Sequence, residues 1–557
     1  MNNNITTVVE KLETVSGFTH TRVQTRVQKP LVAANQLPKK KRQQRRRRTT
    51  IWSLPEELLL NLFDGLDVKD LLSIRSTHPS FMSLIDNNSS VWKTCTFRDI
   101  WPSQLNSKHF EKAAKHHNFE ALIKLGVAYL YNVGLQQVDV YGAHIAENGK
   151  KAGEMFCHVE EYSASPFTYI FICPPWSTDH CSKVYAFNQM TQHVKQNVAP
   201  NVEICIVNAL QLLETSEGRQ REILDHLETA SNNGSNLAKY LTWKHKYQFN
   251  DTWKVKQCIE LQAVRELRSN TSLNAKLTLC RLYALGMYGG VSKQQATIYM
   301  RNVITDSTAV DISNVCTETV ITDSMRYILV DWMAEIASDK GFDSLTLHLS
   351  INIVDRFLKK HTVTYGKFQL LGISAMVICS KFLGGDIIVI REATYFTANT
   401  YTYDDIVMMI GEISAVLRGN FRMPITIDYT SILGLVANND RRTELLAEYF
   451  CELSLLHSEL SKYKQATLAA AAQLLARLTL RKDNPWTCEL HDVTGLTVTD
   501  FTRCAIHLHK KIFEPKFDYC KGLHAITSRY SNDQMLNVAT LPMLTDYQLL
   551  TILACIL

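Results

Sequence analysis

After position 50, apolar residues recur at three- and four-residue spacing in segment after segment and almost nowhere alternate. That period belongs to amphipathic helices and argues against a sheet-based core. Leu58, Leu62 and Leu66 stand four apart, and Leu445, Leu446, Tyr449, Phe450, Leu453 and Leu456 share one face. Tyr169 to Trp176 (YIFICPPW) is the exception: an apolar run ended by Pro174 and Pro175 that reads as strand or extended chain. The expected fold class is all-α, and 557 residues are enough for several domains.

The charge is local. Lys+Arg number 60 against 54 Asp+Glu, but Lys39, Lys40, Lys41, Arg42, Arg45, Arg46, Arg47 and Arg48 hold eight of the basic groups. The rest of the chain carries 52 against 54, which excludes a nucleic-acid-binding surface spread over the whole molecule. Residues 1–50 read as a disordered, Asn/Thr/Gln-rich arm. Its basic cluster suits a nuclear-import signal gripped by the acidic groove of importin, or a solvated tail with nonspecific phosphate affinity.

Fourteen cysteines contain no Cys-x-x-Cys, and the closest two, Cys173 and Cys181, are eight apart. They read as small core residues of a reducing compartment rather than zinc ligands or redox pairs. His116-His117 and His507-x-His509 lack a third ligand at suitable spacing, and no phosphate-binding Gly-rich loop ends in Lys-Ser/Thr. No catalytic residue, metal or cofactor is therefore expected. No secretory signal or membrane span is read either. The expected location is nucleus and cytoplasm.

From Ile51, Ser53-Leu54-Pro55-Glu56 reads as a capping box with Ser53 capping, Pro55 in the first turn and Glu56 reaching back. Three short helices follow within about 45 residues, with more leucine than so small a unit can bury, and surplus apolar surface points to a partner. The segment LPEELLLNLFDGLDVKDLLSIRSTHPSFMSLIDNNSSVWK resembles an F-box. The resemblance implies that Leu54, Pro55, Leu58 and Leu62, with Leu71 and Leu72, dock the adaptor subunit of a cullin-RING ubiquitin ligase. From spacing alone the same leucines could be core. Residues 98–310 are helical: Phe110 to Leu135, with Ala114, Ala121, Gly126 and Ala128 at close-packing positions, is echoed by Ile223–Trp243 and Leu261–Gly290. The echo is similar to degenerate Sel1 and tetratricopeptide hairpins, serving either as peptide-binding surface or as spacing.

Thr322 to Ala337 laid on a helix shows two opposed apolar stripes: Met325, Ile328, Leu329, Trp332 and Ile336, and Tyr327, Val330, Ala334 and Ala337. Such a helix is buried all round or has one face spare. Arg326 falls near the second stripe and needs a carboxylate; Asp355 on the next helix is available. MRYILVDWMAEI, LHLSINIVDRFLKK and GKFQLLGISAMVICSKF resemble the first helices of a cyclin box. The resemblance implies a structural Arg326–Asp355 pair. It also implies a groove of Met325, Ile328, Leu329, Trp332, Glu335, Phe368 and Gln369 that docks Arg-x-Leu peptides. Lys381 and Glu412 hold the positions of kinase contacts, although Leu383-Gly384-Gly385 replaces the acidic pair usual after the lysine.

The expected domains are the arm 1–50, an F-box 51–97, a helical repeat-like region 98–310, and cyclin boxes 311–421 and 422–517. Residues 518–557 remain unassigned. This order is similar to that of the cyclin F family, which adds the centrosome and centriole as locations. It implies a non-catalytic substrate receptor of an SCF ubiquitin ligase, with partners in the adaptor, the cullin scaffold and Arg-x-Leu substrates. Two alternatives stay open: a cyclin that activates a cyclin-dependent kinase, and a nucleic-acid scaffold resting on residues 39–48.

Overall fold

The computed structural model describes residues 51–556 apart from 52–53, 136–142, 175–180, 214–216, 249–263, 266, 314–320, 514–521 and 523. The basic arm, Ser53 and Trp176 lie outside the described residues. Among those described there is no strand, only an isolated bridge between Asp67 and Thr96, and the fold is all-α. The chain forms two compact units, up to Ile100 and from Trp101 onward.

In the first unit, α1 (Glu56–Phe63), α2 (Val68–Thr77), α3 (Pro79–Asn87) and α4 (Ser89–Thr94) enclose Phe63, Leu71, Phe81, Ile85, Trp92 and Phe97. The Trp92 indole N–H donates to the Ile85 carbonyl at 2.8 Å, which satisfies the one polar atom of a fully buried ring. Arg75 forks onto Asp86 and ties α2 to α3. Pro55 is the N-cap of α1 and Glu56 is its first residue, with no side-chain cap. The expected capping box is therefore corrected: Glu56 stands at N1, and the reciprocal bond requires a residue at N3.

The second unit opens with α5 (Ser107–Lys115), α6 (Phe119–Tyr131), α7 (Ala143–Tyr162), α8 (Tyr169–Ile172), α9 (Ser182–Gln196), α10 (Pro200–Gln211), α11 (Glu217–Asn232), α12 (Asn236–Gln248), α13 (Leu273–Ala284) and α14 (Lys293–Thr305). The run from Tyr169 is a turn of helix, not a strand. Tyr169, Ile170, Phe171 and Ile172 are all buried, so no periodicity distinguishes the two.

A first five-helix bundle follows as α15 (Asp323–Asp339), α16 (Ser344–Leu358), α17 (Phe368–Leu383), α18 (Ile390–Phe396) and α19 (Tyr403–Leu417). The second is α20 (Thr426–Val436), α21 (Arg441–Leu455), α22 (Gln465–Thr479), α23 (Cys488–Thr494) and α24 (Val498–Phe513), with α25 (Ala525–Arg529) and α26 (Asp546–Ile556) beyond it. Tyr365–Leu383 is long and apolar enough to cross a membrane by length and composition, but it is 72% buried inside the protein, as a core helix is. Packing of α6 on α19 sets the helical region against the first bundle. Trp101 lies so close over Gly411 that a Cβ there would sit 2.7 Å from its ring.

Candidate functional site

Two surfaces gather the residues singled out in the sequence. On α1, the face carrying Leu59 and Phe63 enters the core, which turns Leu58 and Leu62 outward at i, i+4 spacing. Leu58 is 45% exposed, Pro55 is exposed, and Leu54, Leu62 and Leu72 are half-buried. Leu71 is corrected: it is completely buried in the small core and offers nothing to a partner. Met82, 44% exposed on α3, is an apolar residue of this unit that spacing did not single out.

On α15, Arg326 is buried and forks onto Asp355, Nε to Oδ1 at 3.0 Å and Nη2 to Oδ2 at 2.9 Å. Its Nη1 donates to the Leu455 carbonyl at 2.6 Å, so one guanidinium links α15, α16 and α21. A buried cation met by three acceptors positions helices and leaves little to give a ligand.

The stripe beside it divides. Ile328 is 41% exposed, Glu335 is exposed, and Met325, Trp332 and Gln369 are partly covered. Leu329 and Phe368 are each 5% exposed and are corrected from groove surface to groove floor. The cause is α17, which approaches so closely at Gly372 that a Cβ there would lie 2.8 Å from Leu329 Cδ1. What remains open is an apolar edge at Ile328 with the Glu335 carboxylate beside it.

Lys381 and Glu412, at the positions of kinase contacts, both turn toward the interior of the second unit. Glu412 holds Lys124 of α6 at 2.6 Å, and Lys124, wholly buried, also takes Glu120 at 2.8 Å. Burial pushes the Glu412 carboxyl above its ordinary range, and the Lys124 charge pulls against it. Lys381 is 5% exposed near the end of α17, and burial pushes its ammonium down to about 8. The side chains aligned with kinase contacts thus face the chain's own helical region.

Among the described residues no cluster of His, Cys, Asp and Glu could hold a metal ion. Family models match an F-box-like domain at 51–98, a cyclin N-terminal domain at 298–422 and a cyclin C-terminal domain at 424–544. Cyclin-F of Xenopus laevis is 38% identical over 519 residues, covering 89% of this chain and 67% of that protein. Cyclin-F of Homo sapiens is 38% identical over 511 residues, covering 90% and 64%, and that of Danio rerio is 33% identical over 502, covering 88% and 65%. The chain belongs to the cyclin-F family. It spans about two thirds of the length of these curated relatives.

For this F-box cyclin the C-terminal match reaches 544, well past the box end expected at 517. The segment around α25 shows why the longer unit coheres. The Ala525 amide donates to Asp331 Oδ1 of α15 at 3.1 Å, and the Arg529 guanidinium reaches the Phe342 carbonyl. Arg529 Nε lies 3.4 Å from Glu452 Oε2, and the Tyr530 hydroxyl donates to Glu452 Oε1 at 2.9 Å. Burial raises the Glu452 carboxyl and drives His348 down to about 3, with the Arg529 charge adding to the latter. Residues left unassigned by the sequence therefore clasp both boxes of this cyclin-F relative. Ile526 and Tyr530, both buried, were the available signal.

Proposed function

We propose that this F-box cyclin is the substrate-recognition subunit of an SCF-type cullin-RING ubiquitin ligase. In this reading Leu54, Pro55, Leu58 and Leu62 dock the adaptor. Met325, Ile328, Trp332, Glu335 and Gln369, over the Leu329–Phe368 floor, dock the Arg-x-Leu motif of a cell-cycle substrate. The chain catalyses nothing itself; holding a substrate beside the ubiquitin carrier raises its effective concentration there. Residues 39–48 would bind importin, and the locations that go with this reading are nucleus and cytoplasm, with the centrosome or centriole suggested by family resemblance.

The observation that carries the reading is a pair of separate apolar edges on one chain, open at Leu58 and at Ile328. Activation of a cyclin-dependent kinase is the rival, and it requires Lys381 and Glu412 on an open surface; Glu412 is instead taken up by Lys124. The test is affinity purification of the tagged chain beside a Leu54→Ala/Pro55→Ala variant, read by mass spectrometry. Adaptor and cullin should accompany the wild type and disappear with the variant. Recovery of a kinase with no ligase subunit from either form would overturn the reading.

A further inference from the structure

Inside the second unit, a cleft of about 1220 Å³ runs between the helical region and the two cyclin boxes. Its wall includes Asn208 and Gln211 of α10, Asn236 of α12, Arg281 of α13, Lys381 of α17, and Arg422 just before α20. The cations are not equally occupied. Arg422 Nη2 binds Asp428 Oδ1 at 2.7 Å. Arg281 Nη2 stays 3.8 Å from that same oxygen, and its Nε is buried with no hydrogen-bond partner among the described residues. Lys381 is 95% removed from solvent, and its ammonium has no hydrogen bond or ion pair among the described residues.

The carboxylates along the cleft do not relieve them. Asp428 is committed to Arg422 and to the Ile425 amide at 3.1 Å. Asp343 caps α16 through Thr346, and Asp386 is exposed at the rim. An ammonium ion on a mostly covered side chain is poorly hydrated, and an incoming anion in the cleft relieves it. The cleft far exceeds what one phosphate needs, since a water molecule takes roughly 30 Å³ in the liquid. The side-chain amides on its wall suit the donors and acceptors of an extended backbone.

We propose that this cleft binds an extended peptide segment bearing an anionic side chain, phosphoserine or a carboxylate, which pairs with Lys381 while Arg281 contacts the same segment further along. The site is distinct from the α15 edge. Gln369 and Lys381 stand at opposite ends of α17, about 18 Å apart along its axis at the helical rise. The proposal therefore does not depend on Arg-x-Leu docking.

The test uses the purified chain and three fluorescent pools of nine-residue peptides with randomised, Lys/Arg-free flanks. The central residue is phosphoserine, aspartate or serine. At least one anionic pool should bind about tenfold or more tighter than the serine pool, as one or two charge-assisted hydrogen bonds would give. Preference for phosphoserine over aspartate identifies a phosphate reader, and the reverse a carboxylate reader. Lys381→Met, which keeps the stem and removes the charge, should bring the anionic pools down to the serine level, and Arg281→Gln should do so in part. On the wild type, the preferred pool should also protect Lys381 from acetylation, read by mass spectrometry. Equal binding of all three pools, an anionic preference that survives Lys381→Met, or unprotected Lys381 overturns the proposal.

Discussion

The apolar stripe of α1 and that of α15 have the same spacing and different fates. On α1 the helices of the small unit cover one side only, so Leu58 stays 45% exposed while its neighbour Leu59 is buried. On α15 the flanking helices cover nearly everything: Leu329 and Ile336 are buried and an edge at Ile328 is left. Periodicity says which residues share a face; the neighbouring helices decide whether that face is free to bind.

The contrast can be broken most severely at its anchor. Asp355→Ala leaves the Arg326 guanidinium buried without its carboxylate and should destabilise the second unit by about 3–5 kcal/mol, measured by chemical denaturation. Leu329→Ala removes groove floor over α17 and should lose about 2–5 kcal/mol. Leu58→Ala, the corresponding change on α1, should stay within about 0.5 kcal/mol. A comparable loss at both positions would erase the difference between the stripes.

Acidity sharpens the picture in the helical region. Glu160 accepts from the Phe167 and Thr168 amides at 3.0 and 2.8 Å, and burial raises its carboxyl to about 7. The folded state thus binds this proton more tightly than the unfolded chain does. Its contribution to stability is complete below the ordinary carboxyl pKa and is lost as pH rises through about 7. His348, pushed down to about 3, acts oppositely: its contribution is complete above the ordinary imidazole pKa of 6.5 and is lost as pH falls. Urea midpoints measured from pH 5 to 8 should fall less steeply on the alkaline side for Glu160→Gln than for the wild type. The smallest expected effect is Ile328→Ala, under about 0.5 kcal/mol in stability for a half-open side chain.

Helical class and the residues of both stripes were legible in the sequence, because each stripe is a local pattern of one helix. Arg326 was legible as a cation in need of a carboxylate, since its helical position placed it among apolar neighbours. Burial of Leu71 and Leu329 was not, because the helices that cover them are set by tertiary packing. The Lys124–Glu412 and Arg529–Glu452 pairs join residues far apart in the chain and leave no local trace. The turn at Tyr169 was misread because a wholly buried run carries no period.

The most direct measurement is a double dissociation on the purified chain: adaptor capture and binding of a labelled Arg-x-Leu peptide, each assayed for wild type, Leu58→Ala/Leu62→Ala and Trp332→Ala. The two-edge account predicts that the α1 variant loses adaptor and keeps the peptide, while Trp332→Ala keeps adaptor and weakens the peptide about tenfold or more. Loss of both activities in either folded variant, or peptide binding indifferent to Trp332, would contradict it.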